Sequence, residues 1–272
     1  MDAPLKTTPH HLLYAQEIAV DGNVVSARVG GQGSAIVLFH SLLADGSSFD
    51  LITDELAQTH RVVVLNLPGF GTSGRVDGGL NAVADRVAGA IRAMVLPGPV
   101  IFLGNGYGGF VALLTAIRHP SLAARLVLAD CGAAFSEPGR AAFRGMSAAA
   151  RAKGLEAIAD VAMRRLFAPE FQQQNAALTD DRKKKFLAVD VETFHGACAA
   201  LAELDLRAEL PGVTVPVLVL VGEQDEATPP PMSVELAAGL PHAELIVLPG
   251  CAHVPQLQAP EQFMAAIRSF IQ

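Results

Sequence analysis

Gly104-Asn105-Gly106-Tyr107-Gly108-Gly109 is the stretch of sequence that decides the fold. It follows the apolar run 100–103 and precedes residues 110–114, which have helical character. A strand, a sharp turn and a helix in this order form the nucleophile elbow, G-x-S-x-G, which lifts a serine above a sheet. Glycine stands at position 106, where the serine belongs. The hexapeptide thus predicts the turn of a nucleophile elbow, but without the serine hydroxyl that such a turn normally carries.

The same stretch also matches G-x-G-x-x-G, the phosphate-binding turn of dinucleotide-binding sheets, at Gly104, Gly106 and Gly109. That turn usually opens its sheet, and an acidic residue follows the second strand. Here several strand-like runs precede the turn, and Asp130 is a poor candidate for the acid. The elbow is therefore the better interpretation.

Strand-like and helix-like runs alternate on both sides of the elbow. Residues 14–20 and 24–29 around Asp21-Gly22-Asn23 predict a hairpin. Nearly continuous apolar runs, typical of strands buried on both faces of a parallel sheet, occur at 35–39, 62–66, 100–103, 126–129, 217–221 and 245–248. Stretches of helical length occur at 49–57, 80–94, 110–118, 233–238 and 261–270. This order predicts an α/β protein with a mostly parallel, doubly wound sheet and an antiparallel N-terminal edge.

The alternation stops between about residues 135 and 210, where the chain is rich in alanine, arginine and glutamine and has a helical period. We therefore predict a core of residues 1–134 and 211–272 with a helical cap at 135–210. The cap is expected over the carboxyl ends of the strands, where open α/β sheets place their sites. Disorder is expected only in the first ten or so residues.

Composition excludes several classes of protein. The 272 residues carry a net charge of −7, which argues against binding nucleic acid. The basic run Arg182-Lys183-Lys184-Lys185 is interpreted as a solvated helix face. No signal peptide or membrane-spanning segment is visible, and Cys131, Cys198 and Cys251 form neither a disulfide framework nor a zinc pattern. We expect a cytoplasmic protein without metal or cofactor, and homo-oligomerisation stays open.

Downstream residues supply a candidate acid and a candidate base. Asp225 follows the run 217–221, and a carboxylate there could accept a hydrogen bond from an imidazole Nδ1. His253 follows the last predicted strand, so elbow, acid and base stand in the chain order of the α/β-hydrolase triad. Asp130 is a serious alternative acid because it ends the preceding strand. Two further acids in the same region are Glu223 and Glu226.

An oxyanion hole needs two backbone N–H groups. Tyr107, after the elbow residue, would provide one, and Leu42 in the loop His40-Ser41-Leu42-Leu43 would provide the other. We interpret His40 as a residue that braces this loop. Cys131 and Cys251 are weak candidates for a replacement nucleophile, because buried thiols are usually inert.

These motifs together resemble the α/β-hydrolase superfamily from end to end, and within it the 3-oxoadipate enol-lactonases of aromatic-compound breakdown. The resemblance rests on Ser41-Leu42, on Asn66-Leu67-Pro68-Gly69-Phe70-Gly71-Thr72-Ser73, on Leu155-Glu156-Ala157-Ile158-Ala159-Asp160, on Cys198-Ala199-Ala200-Leu201, on Leu204-Asp205-Leu206-Arg207 and on Ala227-Thr228-Pro229-Pro230. It implies a serine nucleophile at position 106, completed by Asp225 and His253, with a small-molecule ester or lactone as substrate.

Departures from the family pattern concern the substrate rather than the fold. Besides Gly106, the pair Gly104-Asn105 is more like that of ring-fission C–C bond hydrolases. The chain has no tryptophan, and Leu166 stands where lactonase-like caps often carry one. The residues predicted to line the substrate site are Ser41, Phe135, Phe143, Leu166 and His195. Arg140, Arg144 and Arg151 could meet a substrate carboxylate, although cap arginines usually face water.

Three interpretations of the bare elbow follow, in order of preference. In the first, the protein is an ester or lactone hydrolase whose serine is replaced by Gly106, which leaves it inactive or weakly active. In the second, His253 and Asp225 act without a nucleophile, as in cofactor-free dioxygenases or lyases, and the lost CH₂OH leaves a void with room for a water. In the third, the protein binds a small molecule without catalysis.

Overall fold

The computed structural model describes residues 12–272, and its centre is one eight-stranded sheet. The expected disorder of the first ten residues lies outside the described range. The strands are β1 Leu13–Val20, β2 Asn23–Gly30, β3 Ser34–Phe39, β4 His60–Leu65, β5 Val100–Asn105, β6 Ala123–Ala129, β7 Val217–Gly222 and β8 Ala243–Leu248. Their spatial order is β1-β2-β4-β3-β5-β6-β7-β8. The pairs β1–β2 and β2–β4 are antiparallel and all others are parallel, so the predicted fold class is confirmed.

The N-terminal hairpin is tighter than predicted. Val20 pairs with Asn23, so Asn23 belongs to β2 and only Asp21 and Gly22 form the turn. Both turn residues have positive φ, 47° and 74°. This is the backbone of a two-residue type I′ turn, which suits the right-handed twist of the strands.

Helices cover both faces of the sheet. They are α1 Asp50–Leu56, α2 Gly79–Ala93, α3 Tyr107–Arg118, α4 Glu137–Lys153, α5 Ala159–Leu166, α6 Pro169–Gln174, α7 Ala176–Leu187, α8 Val191–Glu203, α9 Pro230–Gly239, α10 Pro255–Gln258 and α11 Pro260–Ile271. Alternate residues of β3 enter different cores: Val37 packs on the side of α2 and α3, and Leu38 on the side of α1 and α11. Burial on both faces explains why the strands read as continuous apolar runs.

The segment between β6 and β7 contains α4 to α8 and, in the part of the chain that is described, no strand. Arg140 ties the start of α4 to the loop before it and to the end of α8. Its guanidinium donates to the carbonyl oxygens of Phe135 (3.0 Å), Ala202 (2.6 Å) and Leu204 (3.1 Å). Arg140 is half-buried, and these three hydrogen bonds engage its guanidinium. Two further arginines of this helical segment pair with acids, Arg144 with Glu137 and Arg151 with Glu192.

The basic run on α7 is not simply a solvated face. Arg182 is buried, and its Nη1 donates to Ser47 Oγ in the loop after β3, at 2.9 Å. The same guanidinium pairs with Asp181 and lies 3.7 Å from Asp45. The interpretation of this run as solvated is therefore wrong for Arg182 and holds for the exposed Lys184. Arg182 joins the helical segment to the core.

Among residues 12–272, the helices are too short or too polar to cross a bilayer.

Candidate active site

The elbow turn between β5 and α3 has the backbone that the hexapeptide predicts. Gly106 has φ 55° and ψ −122°, a left-handed conformation that L side chains rarely adopt. Its N–H donates to the carbonyl oxygen of Ala129 at 2.9 Å, which fixes the turn against β6. A Cβ on Gly108 would lie 2.0 Å from the carbonyl oxygen of Phe39, so glycine is required where α3 begins against β3.

Asp225 and His253 form a buried pair above the elbow. His253 Nδ1 lies 2.9 Å from Asp225 Oδ2, and the two residues are 5% and 3% exposed. Asp225 Oδ1 accepts from the backbone N–H groups of Ala227 (2.8 Å) and Thr228 (3.1 Å), and Thr228 Oγ1 donates to Oδ2 at 2.7 Å. With Nδ1–H donated to the carboxylate, Nε2 is left as the basic nitrogen.

Two opposing effects act on the acidity of Asp225. Burial pushes its pKa up, but the charge of His253 and the hydrogen bonds from His253 and Thr228 together hold the pKa below its ordinary value of 3.8. Asp225 is therefore a carboxylate at neutral pH. This is the state that orients an imidazole and stabilises it when it gains a proton.

Asp130, the serious alternative acid, plays a different part. Its Oδ1 accepts from Gly222 N at 2.8 Å and its Oδ2 from Asn105 Nδ2 at 3.2 Å. Burial first, and then the charge of Asp225, raise the pKa of Asp130 well above 3.8. Two buried acids that lie close together resist carrying two negative charges. Asp130 therefore holds its proton more tightly than its neighbour Asp225 does. Of the other two acids, Glu223 bonds the N–H of Gly250 and Glu226 is exposed.

The other face of the imidazole meets Ser41. Ser41 Oγ lies 3.3 Å from His253 Nε2, and Ser41 is 1% exposed. A Cβ on Gly106 would lie 2.7 Å from both of these atoms. The Cβ contacts do not test the expected water-sized void beside the imidazole, which stays a prediction; Gly106, Ser41 and His253 border one common cavity.

Two backbone N–H groups border the same point. Within residues 12–272, neither Leu42 N nor Tyr107 N has a hydrogen-bond acceptor; Tyr107 begins α3, and the first N–H groups of a helix have no partner inside it. His40 holds the loop, since its Nδ1 donates to Ser41 O (2.9 Å) and its Nε2 accepts from Leu67 N (3.1 Å). Burial lowers the pKa of His40, so it is neutral there.

A cavity opens from this point toward the helical segment. Its polar members at the elbow are Ser41, Thr228 and His253, and Arg165 on α5 is the one cation among the described residues that line it. The apolar lining consists of Leu42, Leu43, Phe110, Phe135, Phe143, Met146 and Leu201. Leu166 does not line the cavity but is fully buried in the packing of the helical segment. His195 lines a neighbouring groove, where its Nδ1 bonds Ser147.

The cysteines do not offer a nucleophile at this site. Burial is the main cause that raises the pKa of each thiol, well above its ordinary value for Cys131, to about 12 for Cys198 and to about 11 for Cys251. At neutral pH all three are thiols rather than thiolates, and the thiolate is the reactive form.

One group of possible metal ligands coincides with this site. Ligand atoms of Asp130, Asp225 and His253 lie within 4.8 Å of one another. The pKa of Asp130 is raised and the other two are bonded to each other, so the set is a poor cation site. The predicted absence of a metal or cofactor stays a prediction.

Sequence reasoning missed three residues of the site. Asn105 Nδ2 donates to the carbonyl oxygen of His253 at 2.8 Å, which anchors the loop that carries the imidazole. Thr228 bonds Asp225, and its place three residues after that acid was a usable signal. Arg165 carried no signal, because only the packing of α5 brings it to the cavity.

Known proteins match the chain over nearly its whole length. Residues 36–266 match the alpha/beta hydrolase family. A pimeloyl-[acyl-carrier protein] methyl ester esterase from Aeromonas hydrophila is 30% identical over 91% of this chain and 99% of the relative. An enol-lactonase structure from Burkholderia xenovorans LB400 is 26% identical, with a TM-score of 0.89 over 94% of this chain and 99% of its own. A thermophilic esterase structure from Thermogutta terrifontis is 27% identical, with a TM-score of 0.86 over 95% and 98%. With this sheet, this elbow and these relatives, the chain belongs to the alpha/beta hydrolase family.

Proposed function

We propose that the protein is a carboxylic ester or lactone hydrolase that works weakly because its elbow carries Gly106. The observation that supports this proposal most strongly is the buried pair of Asp225 and His253, with Nε2 facing the elbow. A pure binding protein has no evident need for an oriented base. The two unpaired amides of Leu42 and Tyr107 add an oxyanion hole.

The mechanism is clearest for a form with serine at position 106. The seryl oxygen attacks the carbonyl carbon, and His253 takes its proton and returns it to the leaving alcohol. Asp225 keeps the imidazole in the tautomer that allows this, and the amides of Leu42 and Tyr107 stabilise the oxyanion. Water then releases the acyl group. In the chain as it stands, the base and the oxyanion hole must work with a different nucleophile.

The substrate that we propose is an ester or enol-lactone with a negatively charged end. The relatives' names point to methyl esters and enol-lactones, and the chemistry of the cavity adds the charge. Arg165 is a half-buried cation on the mostly apolar side of this cavity, and no hydrogen bond or ion pair joins it to another residue within 12–272. A substrate carboxylate would give it the partner that it lacks. The helical segment at 135–210 would act as the cap that shapes this site, and a role in aromatic-compound breakdown is part of the same proposal.

A second candidate is proton abstraction by His253 without a covalent intermediate, as in a cofactor-free dioxygenase or lyase. The specific observation in its favour is Gly106 beside an intact base and acid.

The test is hydrolysis of p-nitrophenyl esters and enol-lactones by the protein and by His253→Ala. Removing a general base costs about 10²- to 10⁴-fold in rate, and we expect a loss in this range. His242→Ala is the matched control, because His242 is exposed on the loop before β8. If neither protein hydrolyses any ester but His253→Ala abolishes oxygen uptake or a lyase activity, the second candidate replaces the first. Tight binding of a small molecule without turnover would favour a binder.

A further inference from the structure

The Ser41 hydroxyl lies next to the place that a serine side chain at residue 106 would take. It lies 2.7 Å from the point where a Cβ on residue 106 would be, and 3.3 Å from the basic nitrogen of His253. A nucleophile and its base are recognised by this kind of contact, which is often looser before substrate binds. Ser41, His253 and Asp225 thus form a continuous chain from hydroxyl to imidazole to carboxylate.

Other hydroxyls and thiols around the site do not satisfy the same geometry. Thr228 Oγ1 lies on the Nδ1 side of the ring and already donates to Asp225. Cys131 and Cys251 have no hydrogen bond to His253 and are buried as thiols. Tyr107 belongs to α3, and burial raises the pKa of its phenol far above 10. Ser41 is therefore the one hydroxyl among residues 12–272 that faces Nε2.

Ser41 also borders the substrate cavity and the oxyanion hole. It lines the cavity together with Gly106 and His253, and its chain neighbour Leu42 supplies an unpaired N–H. His40 fixes the Ser41 carbonyl, so the loop that carries the hydroxyl is held in place. A preorganised position of this kind is what catalysis requires of a reacting group.

We propose that Ser41 is the nucleophile of this protein, a role that rests on the proposed ester hydrolysis. Ser41 Oγ forms a bond to the carbonyl carbon while its proton passes to His253 Nε2. The bond from that carbon to the leaving oxygen breaks, and the imidazolium gives the proton to the departing alcohol. Water, activated by His253, then hydrolyses the seryl ester and restores the hydroxyl.

The test is covalent labelling with an alkyl fluorophosphonate, in which a serine oxygen bonds to phosphorus and fluoride leaves. The protein is labelled, digested and mapped by mass spectrometry. We expect the label on Ser41, and we expect its loss in both Ser41→Ala and His253→Ala. Ser41→Cys should instead accumulate a thioester with a p-nitrophenyl ester, which gives a second readout of the same position. Ser34→Ala is the matched control, since Ser34 is exposed at the opposite end of β3.

The rates separate this inference from the proposed function. We expect Ser41→Ala to lower kcat for ester hydrolysis by about 100-fold or more, since the nucleophile of a serine enzyme carries a larger share than this. Unchanged hydrolysis in Ser41→Ala, still dependent on His253, would overturn the role of Ser41 and leave the hydrolase proposal standing. A label on any other residue would overturn it too. If no ester is hydrolysed at all, the proposed function fails, and labelling still decides whether Ser41 is an activated hydroxyl.

Discussion

Ser41 and His253, which are 212 positions apart in the chain, meet with Oγ and Nε2 3.3 Å apart directly over the turn at Gly106. The contact occupies the volume that any side chain at residue 106 would need, because a Cβ there would approach both atoms to 2.7 Å. The contact between Ser41 and His253 in its present geometry therefore depends on the absence of a side chain at residue 106. A change at residue 106 must alter the distance between Ser41 and His253.

Gly106→Ala tests this arrangement directly. The new methyl group must displace the Ser41 hydroxyl or the imidazole, so we expect ester hydrolysis to fall by at least about 10-fold, since displacement of about 1 Å costs up to 10²-fold. The positive φ adds strain of about 1–3 kcal/mol to the folded state. Kinetics and urea denaturation measure the two effects separately. Unchanged activity in a stably folded variant would mean that the Ser41 contact does not contribute.

Arg165→Ala tests the proposed charge of the substrate. We expect KM for a p-nitrophenyl half-ester of glutaric acid to rise by about 10-fold, which corresponds to the loss of one charge-assisted hydrogen bond of about 1.5 kcal/mol. KM for p-nitrophenyl butyrate, which has no carboxylate, should not change. Arg164→Ala is the control, because Arg164 is the exposed neighbour on α5. An equal rise for both esters would assign Arg165 a packing role.

Asp130→Asn tests the buried acid pair through pH dependence. Because the pKa of Asp130 is raised above 3.8, the folded protein holds this proton more tightly than the unfolded chain. Its contribution to stability is therefore complete at pH values below 3.8 and is lost as pH rises through the pKa of the folded state. Asparagine tolerates the φ of 52° at this position.

We therefore expect Asp130→Asn to lose less stability than the parent protein as pH rises from 3.8 through the pKa of Asp130 in the folded state. Thermal unfolding at each pH measures this, with Asp77→Asn as a control at an exposed acid. Parallel curves for Asp130→Asn and the parent would show that Asp130 does not hold the extra proton.

Arg182→Ala tests the join between α7 and the loop after β3. The variant leaves Ser47, Asp45 and Asp181 without a buried partner, and we expect a loss of about 2 kcal/mol in the free energy of unfolding. Lys184→Ala, an exposed neighbour in the same run, should stay within about 0.5 kcal/mol. Denaturation in urea gives both values, and equal losses would restore the interpretation of the run as a solvated face.

The parts of the fold that could be predicted from the sequence are those with local signals. The turn after β5 is predicted by its glycines, which are required where the start of α3 approaches β5 and β3 closely. The apolar runs predict strands that are buried on both faces. Gly106, Asp225 and His253 each follow a strand of the parallel part of the sheet. They therefore lie at the same edge, because the carboxyl ends of parallel strands meet there.

The remainder depends on distances that no local pattern encodes. Arg165 on α5 reaches the cavity and His195 on α8 does not, because the packing of these two helices decides which side chain lines it. In the sequence Arg182 is part of a run of basic residues. Only the packing of α7 against the loop after β3 buries it and makes it the partner of Ser47. The contact between Ser41 and His253 arises where the loop after β3 meets the loop after β8. No local pattern in either loop predicts it.

The most direct measurement of the central claim is kcat/KM for p-nitrophenyl acetate with Gly106→Ser, with and without His253→Ala. A serine at residue 106 requires Ser41 Oγ or the imidazole to move, because its Cβ would lie 2.7 Å from Ser41 Oγ and from His253 Nε2. We predict a gain of about 10³-fold for Gly106→Ser, part of the roughly 10⁶-fold that a serine nucleophile contributes, and its disappearance in the double variant. No gain in a folded Gly106→Ser protein, or a gain that survives His253→Ala, would contradict an imidazole that serves this elbow as its base.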